Sequence, residues 1–208
     1  MCHRALGSAR FRNQTPKTKR LTPSSQRLTP NTQHLTPKIM SFHGLWHASF
    51  TVSDLEKSIE FYCGLLGLEL AHQQTQHNEY TSKLVGFPDA NLKVAMLRIP
   101  NAFVGPSNHH LELVEYVHPR GEKTDVATNR PGSPHLAFIS DNIHADYERL
   151  SEAGVRFKAP APVAIEAGVN IGGFTVYFLD PDDITLEMLQ PPPGRPWGSV
   201  NGQELSRP

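Results

Sequence analysis

Two stretches of the sequence, 88 residues apart, follow one pattern. The first is HASFTVSDL, from His47 to Leu55, and the second is HLAFISDNI, from His135 to Ile143. Each begins with a histidine, continues through the alternation typical of a β-strand, and reaches a polar residue that favours a helix start. A small repeated unit cannot bury its own sheet, so we expect two copies to pack together around one concave surface.

The first half of the repeat predicts the order β-α-β-β-β. Ser53 and Glu56 have the spacing of a capping box, an apolar stripe follows, and Gly67 ends the helix. Strands are predicted directly after His47, from Leu68, over Leu92–Ile99 and over His110–Val117.

The second half repeats this order. We predict a strand over His135–Ile139 and a helix that starts at Asp141 or Asn142 and ends at Gly154. Further strands are predicted over Val155–Phe157, Phe174–Leu179 and Ile184–Leu189, with a turn at residues 180–183 before the last.

Residues 1–40 differ in composition from the rest of the chain. They contain eight Lys or Arg, no Asp or Glu, and a Pro-containing repeat that is incompatible with a coiled coil. We predict a disordered basic extension. It resembles an organellar transit peptide, could act as a basic tether, or could lie outside the working protein if Met40 is the natural start.

The folded body is predicted over residues 41–192, with module one at about 44–120 and module two at about 131–192. Residues 193–208 read as a loose tail. Residues 41–208 carry 12 basic and 20 acidic residues, which disfavours nucleic-acid binding.

The sequence contains neither a membrane-spanning segment nor the cysteines of a disulfide framework. No apolar run approaches the length of a membrane span, and the sequence has only two cysteines. We therefore expect a cytoplasmic protein, or an organellar one if residues 1–40 are a transit peptide.

Four residues at matching places in the two halves predict a metal site. They are His47 and His135, which open the repeated strands, and Glu112 and Glu187, which lie in the last apolar strand of each half. A carboxylate among leucines is costly to bury without a partner. Two imidazoles and two carboxylates suit one divalent first-row metal with two positions left open. Glu115 takes the other strand face and is expected to face solvent.

The chain resembles the vicinal oxygen chelate superfamily, through HASFTVSDLEKSIEFYCGLLGLEL, LELVEY, PHLAFISDNI and FLDPDDITLEMLQP. The resemblance covers roughly residues 44–192. It implies an α+β fold in which paired βαβββ modules form a curved, barrel-like mixed sheet around the metal, and it implies a homodimer. The family's ligand positions correspond to His47, Glu112, His135 and Glu187. Asp183 stands in a turn where the family usually has Gly.

The ligand set resembles that of glyoxalase I and, more distantly, of methylmalonyl-CoA epimerase. This implies a lyase or isomerase in which a divalent ion (Ni, Zn, Co, Mn or Fe) chelates a small carbonyl substrate. Glu187 or Glu112 would move a proton on the carbon next to the carbonyl. The alternatives are an extradiol-type dioxygenase and a non-catalytic drug-binding resistance protein of the same fold.

Glutathione recognition is where the sequence departs from glyoxalase I. Enzymes of that type usually have Arg and Asn where this chain has Thr51 and Tyr116. Stretches 72–91 and 118–134 are expected to rim the cavity and select the substrate. Three cations are candidates to replace the missing arginine: Arg98, Arg120 and Lys123.

Overall fold

The computed structural model describes residues 45–100 and 110–194. The predicted extension at 1–40 and all but the first two residues of the predicted tail lie outside the described residues. The strands are β1 Ala48–Thr51, β2 Glu69–Gln76, β3 Asn91–Arg98, β4 His110–His118, β5 His135–Ile139, β6 Arg156–Phe157, β7 Val163–Ala164, β8 Phe174–Leu179 and β9 Thr185–Gln190. The helices are α1 Leu55–Ile59, which continues as a π-helical segment Glu60–Leu65, α2 Glu79–Val85 and α3 Ile143–Glu152.

The strands form two sheets with the same plan. In sheet one the order is β1-β4-β3-β2, and in sheet two it is β5-β9-β8-β6, with β7 also paired to β8. Strand β1 pairs in parallel with β4, and β5 pairs in parallel with β9. All other strand pairs are antiparallel. The predicted α+β fold with two related modules is confirmed, although the two sheets remain separate and do not close into a barrel within the described residues.

Side-chain caps fix where the helices begin. Asp54 accepts a hydrogen bond from the Lys57 backbone and caps α1, one residue later than the predicted Ser53. Asn142 caps α3 in the same way, and Gly67 and Gly154 follow the two helical segments at positive φ. Within the described residues, no helix is long and apolar enough to cross a membrane.

The strand predicted from Leu68 is β2, but it extends to Gln76 into a stretch that gave only a polar signal, and helix α2 lies wholly within that stretch. Seven of the eight residues of β2, an edge strand of sheet one, are exposed. The strand therefore lacks the apolar alternation that identifies a half-buried strand. Helix α2 is short and begins at the Asn78 cap, and β7 has only two residues.

One apolar core lies between the two modules. It combines the inward residues of both sheets with those of the helices, including Phe50, Leu113, Phe178 and Leu186. The Tyr62 hydroxyl donates to Asp180 across the modules, and other cross-module bonds join the helix side of module one to module two. Because one face of each sheet packs into this shared core, the opposite faces both point outward.

Candidate metal centre

His47 and Glu112 come together on the outward face of sheet one. His47 directly precedes β1, and Glu112 lies in the neighbouring strand β4, where it pairs in register with Ser49. His47 Nε2 is 3.4 Å from Glu112 Oε2, and both side chains are partly exposed. His47 Nδ1 is buried and has no hydrogen-bond partner among the described residues. We call this His47–Glu112 pair half-site one.

His135 and Glu187 form the equivalent pair on the outward face of sheet two. His135 opens β5, and Glu187 lies in β9, paired in register with Ala137. His135 Nε2 is 3.7 Å from Glu187 Oε2. In both modules, the residue two positions after the histidine is the register partner of the glutamate. We call this His135–Glu187 pair half-site two.

Each pair has the spacing of two ligands to one cation. Ligand atoms about 2.1 Å from an ion, at angles of 90 to 120°, lie about 3.0 to 3.6 Å apart. The separations of 3.4 and 3.7 Å are close to this range. Imidazole nitrogen and carboxylate oxygen also suit first-row divalent metals. The donor set therefore fits such an ion.

The four predicted ligands do not meet within one chain. In the two described segments, no group of three or more His, Cys, Asp or Glu side chains is arranged to hold a metal ion. The two half-sites lie on the outward faces of sheets that share a core behind them. The chain thus presents two separate His–Glu pairs, and neither pair alone supplies the four predicted ligands.

Two residues of β8, Thr175 and Tyr177, contact half-site two. The Thr175 hydroxyl donates to Glu187 Oε1 at 2.5 Å, which orients the carboxylate. The Tyr177 ring centroid lies 5.7 Å from that of His135. Thr175 and Tyr177 are two positions apart in β8 and therefore lie on the same face of the strand. Tyr177 is the register partner of Glu187, so this is the outward face.

Glu115 was predicted to face solvent, and this prediction was wrong. It is buried at 8% exposure, on the opposite strand face from Glu112. Glu115 Oε2 accepts the Leu55 backbone N–H at the start of α1, at 3.0 Å, and lies 3.4 Å from Lys93 Nζ. A helix N-terminus and a nearby ammonium both stabilise a carboxylate, which makes its burial tolerable.

A cavity of about 330 Å³ lies at the end of sheet one. Ser49, Thr51 and Tyr116, on the same face as Glu112, are among its lining residues. The connector between β4 and β5, residues 119–134, supplies much of the remainder, whereas residues 72–91 do not line it. None of the four predicted ligands lines this cavity, so the placing of stretches 72–91 and 118–134 at the rim of the substrate site stays a prediction.

The three cations predicted to recognise an anionic substrate group are already engaged. Arg98 pairs with Glu69, and Lys123 pairs with Asp183. Arg120 donates to the Ser53 carbonyl oxygen and lies 3.9 Å from a Glu115 carboxylate oxygen. Each of the three cations therefore already has a carboxylate within 4.0 Å in this chain.

Asp183 has a structural role at the turn before β9. Its φ is 68°, in the left-handed region where glycine is usual. Hydrogen bonds from Lys123 and then Arg156 lower the pKa of this carboxyl below its ordinary value. The two cations thus hold the connector and β6 against this turn.

Comparisons with known proteins agree with this architecture. Residues 44–188 match the model of the Glyoxalase/Bleomycin resistance protein/Dioxygenase superfamily. The chain is 32% identical over 166 residues to a 2-epi-5-epi-valiolone epimerase of Actinomyces sp, covering 78% of this chain and 87% of that protein. It is 28% identical over 147 residues to a probable lactoylglutathione lyase of Vibrio parahaemolyticus, covering 69% and 88%.

Among solved structures, a glyoxalase family protein from Bacillus cereus superposes with a TM-score of 0.62 at 19% identity. The alignment covers 74% of this chain and 98% of that one, and it supports the fold alone.

Proposed function

Because the chain belongs to the Glyoxalase/Bleomycin resistance protein/Dioxygenase superfamily, we propose that it is a metal-dependent isomerase or lyase. It would transfer a proton on the carbon next to the carbonyl of a small substrate. The observation that carries this proposal is the pair of His–Glu half-sites in matching registers. The names of two relatives, an epimerase and a probable lactoylglutathione lyase, support the same chemistry.

We propose that a second copy of the chain completes each metal site. Half-site one of one copy would face half-site two of the other, giving two nitrogen and two oxygen ligands per ion. A twofold dimer contains two such sites. Exposed apolar side chains on or beside the outward faces, including Trp46 at 67% and Ile139 at 56% exposure, support burial of these faces in a dimer.

The residues that would hold the ion are His47 and Glu112 of one copy and His135 and Glu187 of the other. When bound, a divalent ion withdraws electron density from a chelated carbonyl and makes the neighbouring C–H more acidic. A carboxylate can then remove that proton near neutral pH.

Two carboxylates in one site allow two proton-transfer outcomes. In an epimerisation, Glu187 or Glu112 would take the proton from one face of the carbon, and the other would return a proton to the opposite face. In an isomerisation between adjacent carbons, one carboxylate would carry the proton from the first carbon to the second. Thr175 holds Glu187 Oε1 by a hydrogen bond, which leaves Oε2 on the side of His135.

Solvent deuterium exchange tests the proposed reaction. Metal-loaded protein is incubated in D₂O with hydroxyketones, hemithioacetals and acyl-CoA thioesters, and loss of the proton next to the carbonyl is followed by NMR. Glu187→Gln should reduce exchange by about 10² to 10⁴-fold, the usual contribution of general acid–base catalysis, without changing the circular dichroism spectrum. Glu148→Gln, on the exposed face of α3, is the matched control and should retain full exchange.

Several outcomes of this screen would contradict the proposal. Full exchange by Glu187→Gln would remove that residue from the mechanism. Oxygen consumption with catechols by iron-loaded protein would instead indicate a dioxygenase. Tight ligand binding by metal-free protein, with no exchange, would indicate a drug-binding protein.

Mixing two inactive variants tests the proposed pairing of half-sites. Glu112→Gln damages half-site one, and Glu187→Gln damages half-site two. A reassembled equal mixture has one intact site in each mixed dimer, so about a quarter of wild-type activity should return. If sites form within one chain, every site carries one damaged half and the mixture stays inactive.

A further inference from the structure

Lys158 lies on the outward face of sheet two, next to half-site two. Its backbone N–H donates to the Tyr177 carbonyl at 2.9 Å, which extends the pairing of β6 with β8 by one residue. Lys158 and Tyr177 therefore share a sheet face, and Tyr177 is the register partner of Glu187.

The Lys158 ammonium is held in place by two contacts. Nζ lies 2.8 Å from Thr185 Oγ1 and 5.9 Å from the centroid of the Tyr177 ring. Thr185 lies in β9, the strand that also contains Glu187, and it is the register partner of His135. The contact therefore places the ammonium beside half-site two. The hydroxyl accepts one of the three N–H donors, and two remain for a ligand.

Lys158 differs from every other described cation in lacking a carboxylate partner. Residues 45–100 and 110–194 contain ten Lys and Arg residues, and nine of these have a carboxylate oxygen within 4.0 Å. Within the same residues Lys158 has no such ion pair. The cations predicted to bind an anionic substrate are among the nine, so Lys158 is the described cation whose charge is free to bind one.

We propose that Lys158 binds an anionic oxygen group of the substrate, a carboxylate or a phosphate. This inference rests on the proposed function, because it places the anion beside the carbonyl that the metal would chelate. The substrate is then a small carbonyl compound that also carries a negative charge. The Tyr177 ring beneath the ammonium limits its movement and favours the positive charge, which prepares the site for an anion.

Anion binding by three variants tests this proposal. Lys158→Met removes the charge with little change in side-chain length, and Lys158→Arg keeps it. Lys57→Met is the matched control, because Lys57 is an exposed lysine on α1, the helix side of sheet one, and pairs with Asp54. Purified metal-loaded protein is titrated calorimetrically with inorganic phosphate and with malonate at low ionic strength.

Lys158→Met should bind at least one probe about tenfold more weakly, as expected for loss of one charge-assisted hydrogen bond. Wild type, Lys158→Arg and Lys57→Met should bind alike, and the preferred probe distinguishes phosphate from carboxylate. Equal binding by Lys158→Met and wild type, or binding of neither probe by wild type, would overturn the proposal.

The two proposals fail in different ways. If deuterium exchange is absent with every carbonyl compound but anion binding depends on Lys158, the catalytic proposal fails and the anion site stands. If exchange depends on Glu187 while Lys158→Met changes neither anion affinity nor the KM of the substrate found, only the anion site fails. With that substrate, Lys158→Met should raise KM about tenfold and leave kcat within about twofold.

Discussion

Asp180 is a buried carboxylate where the two modules meet, and replacing it with asparagine isolates the cost of its charge. It is 1% exposed. Oδ2 accepts the Tyr62 hydroxyl at 2.9 Å, and Oδ1 accepts the backbone N–H groups of Asp182 and Ile184. Asn keeps Oδ1 for the two backbone donors, and its amide can donate to the Tyr62 oxygen. The substitution therefore removes the charge and keeps the shape.

Burial raises the pKa of Asp180 to about 6, although its three hydrogen bonds oppose this effect. Because this pKa lies above the ordinary 3.8, the folded protein binds a proton at Asp180 more tightly than the unfolded chain does. The resulting stability is fully present below pH 3.8 and is lost as the pH rises through about 6. Linkage gives wild type about 1.4 kcal/mol more stability at pH 5 than at pH 7.5 from this group.

Urea unfolding of wild type and Asp180→Asn at both pH values measures this contribution. Protein concentration is held fixed, because the proposed dimerisation would make stability depend on it. Subtracting the unfolding free energy of Asp180→Asn from that of wild type gives a difference at each pH. This difference should be about 1.4 kcal/mol larger at pH 5 than at pH 7.5. Parallel pH dependences would refute the argument, because both proteins share every other titrating group.

Three further substitutions test separate parts of the structure. Glu115→Ala should lower the unfolding free energy by about 2 to 3 kcal/mol in urea, because it leaves the first N–H of α1 unpaired; an unchanged midpoint would contradict this. Thr175→Val should weaken metal binding about tenfold in a chelator competition by releasing Glu187, and Thr175→Ser should restore it. Gly173→Ala should cost about 1 to 3 kcal/mol in thermal unfolding, because the added Cβ would lie 2.4 Å from the Gln190 carbonyl oxygen; an unaltered melting temperature would exclude that clash.

The helices and strands were predictable where one face is buried, because apolar residues then recur at regular spacing along the sequence. Strands β5 and β8 have the predicted bounds, and α3 begins at one of the two predicted caps. Strand β2 begins where a strand was predicted, from Leu68, but its extension to Gln76 was missed because a strand with exposed side chains has no such period. Helix α2 was missed because it has only two turns and lies within the same polar stretch.

The sequence predicted which histidine lies near which glutamate, but it did not predict how the two pairs are arranged relative to each other. The repeat led to His47 with Glu112 and to His135 with Glu187, and the structure places each pair within 4 Å. That the pairs face away from a common core depends on how the modules pack, which strand periodicity does not encode. The burial of Glu115 also escaped prediction, because its partners are distant in sequence.

The shared interior has a consequence for the connector over residues 119–134. Each module contributes whole strands and helices to that interior, and among the strands of residues 45–100 and 110–194 none crosses from one sheet to the other. The apolar surface between them, rather than the peptide link, holds the halves together. A protease cut among residues 125–130 should therefore yield two fragments that stay bound and separate only when the protein is denatured.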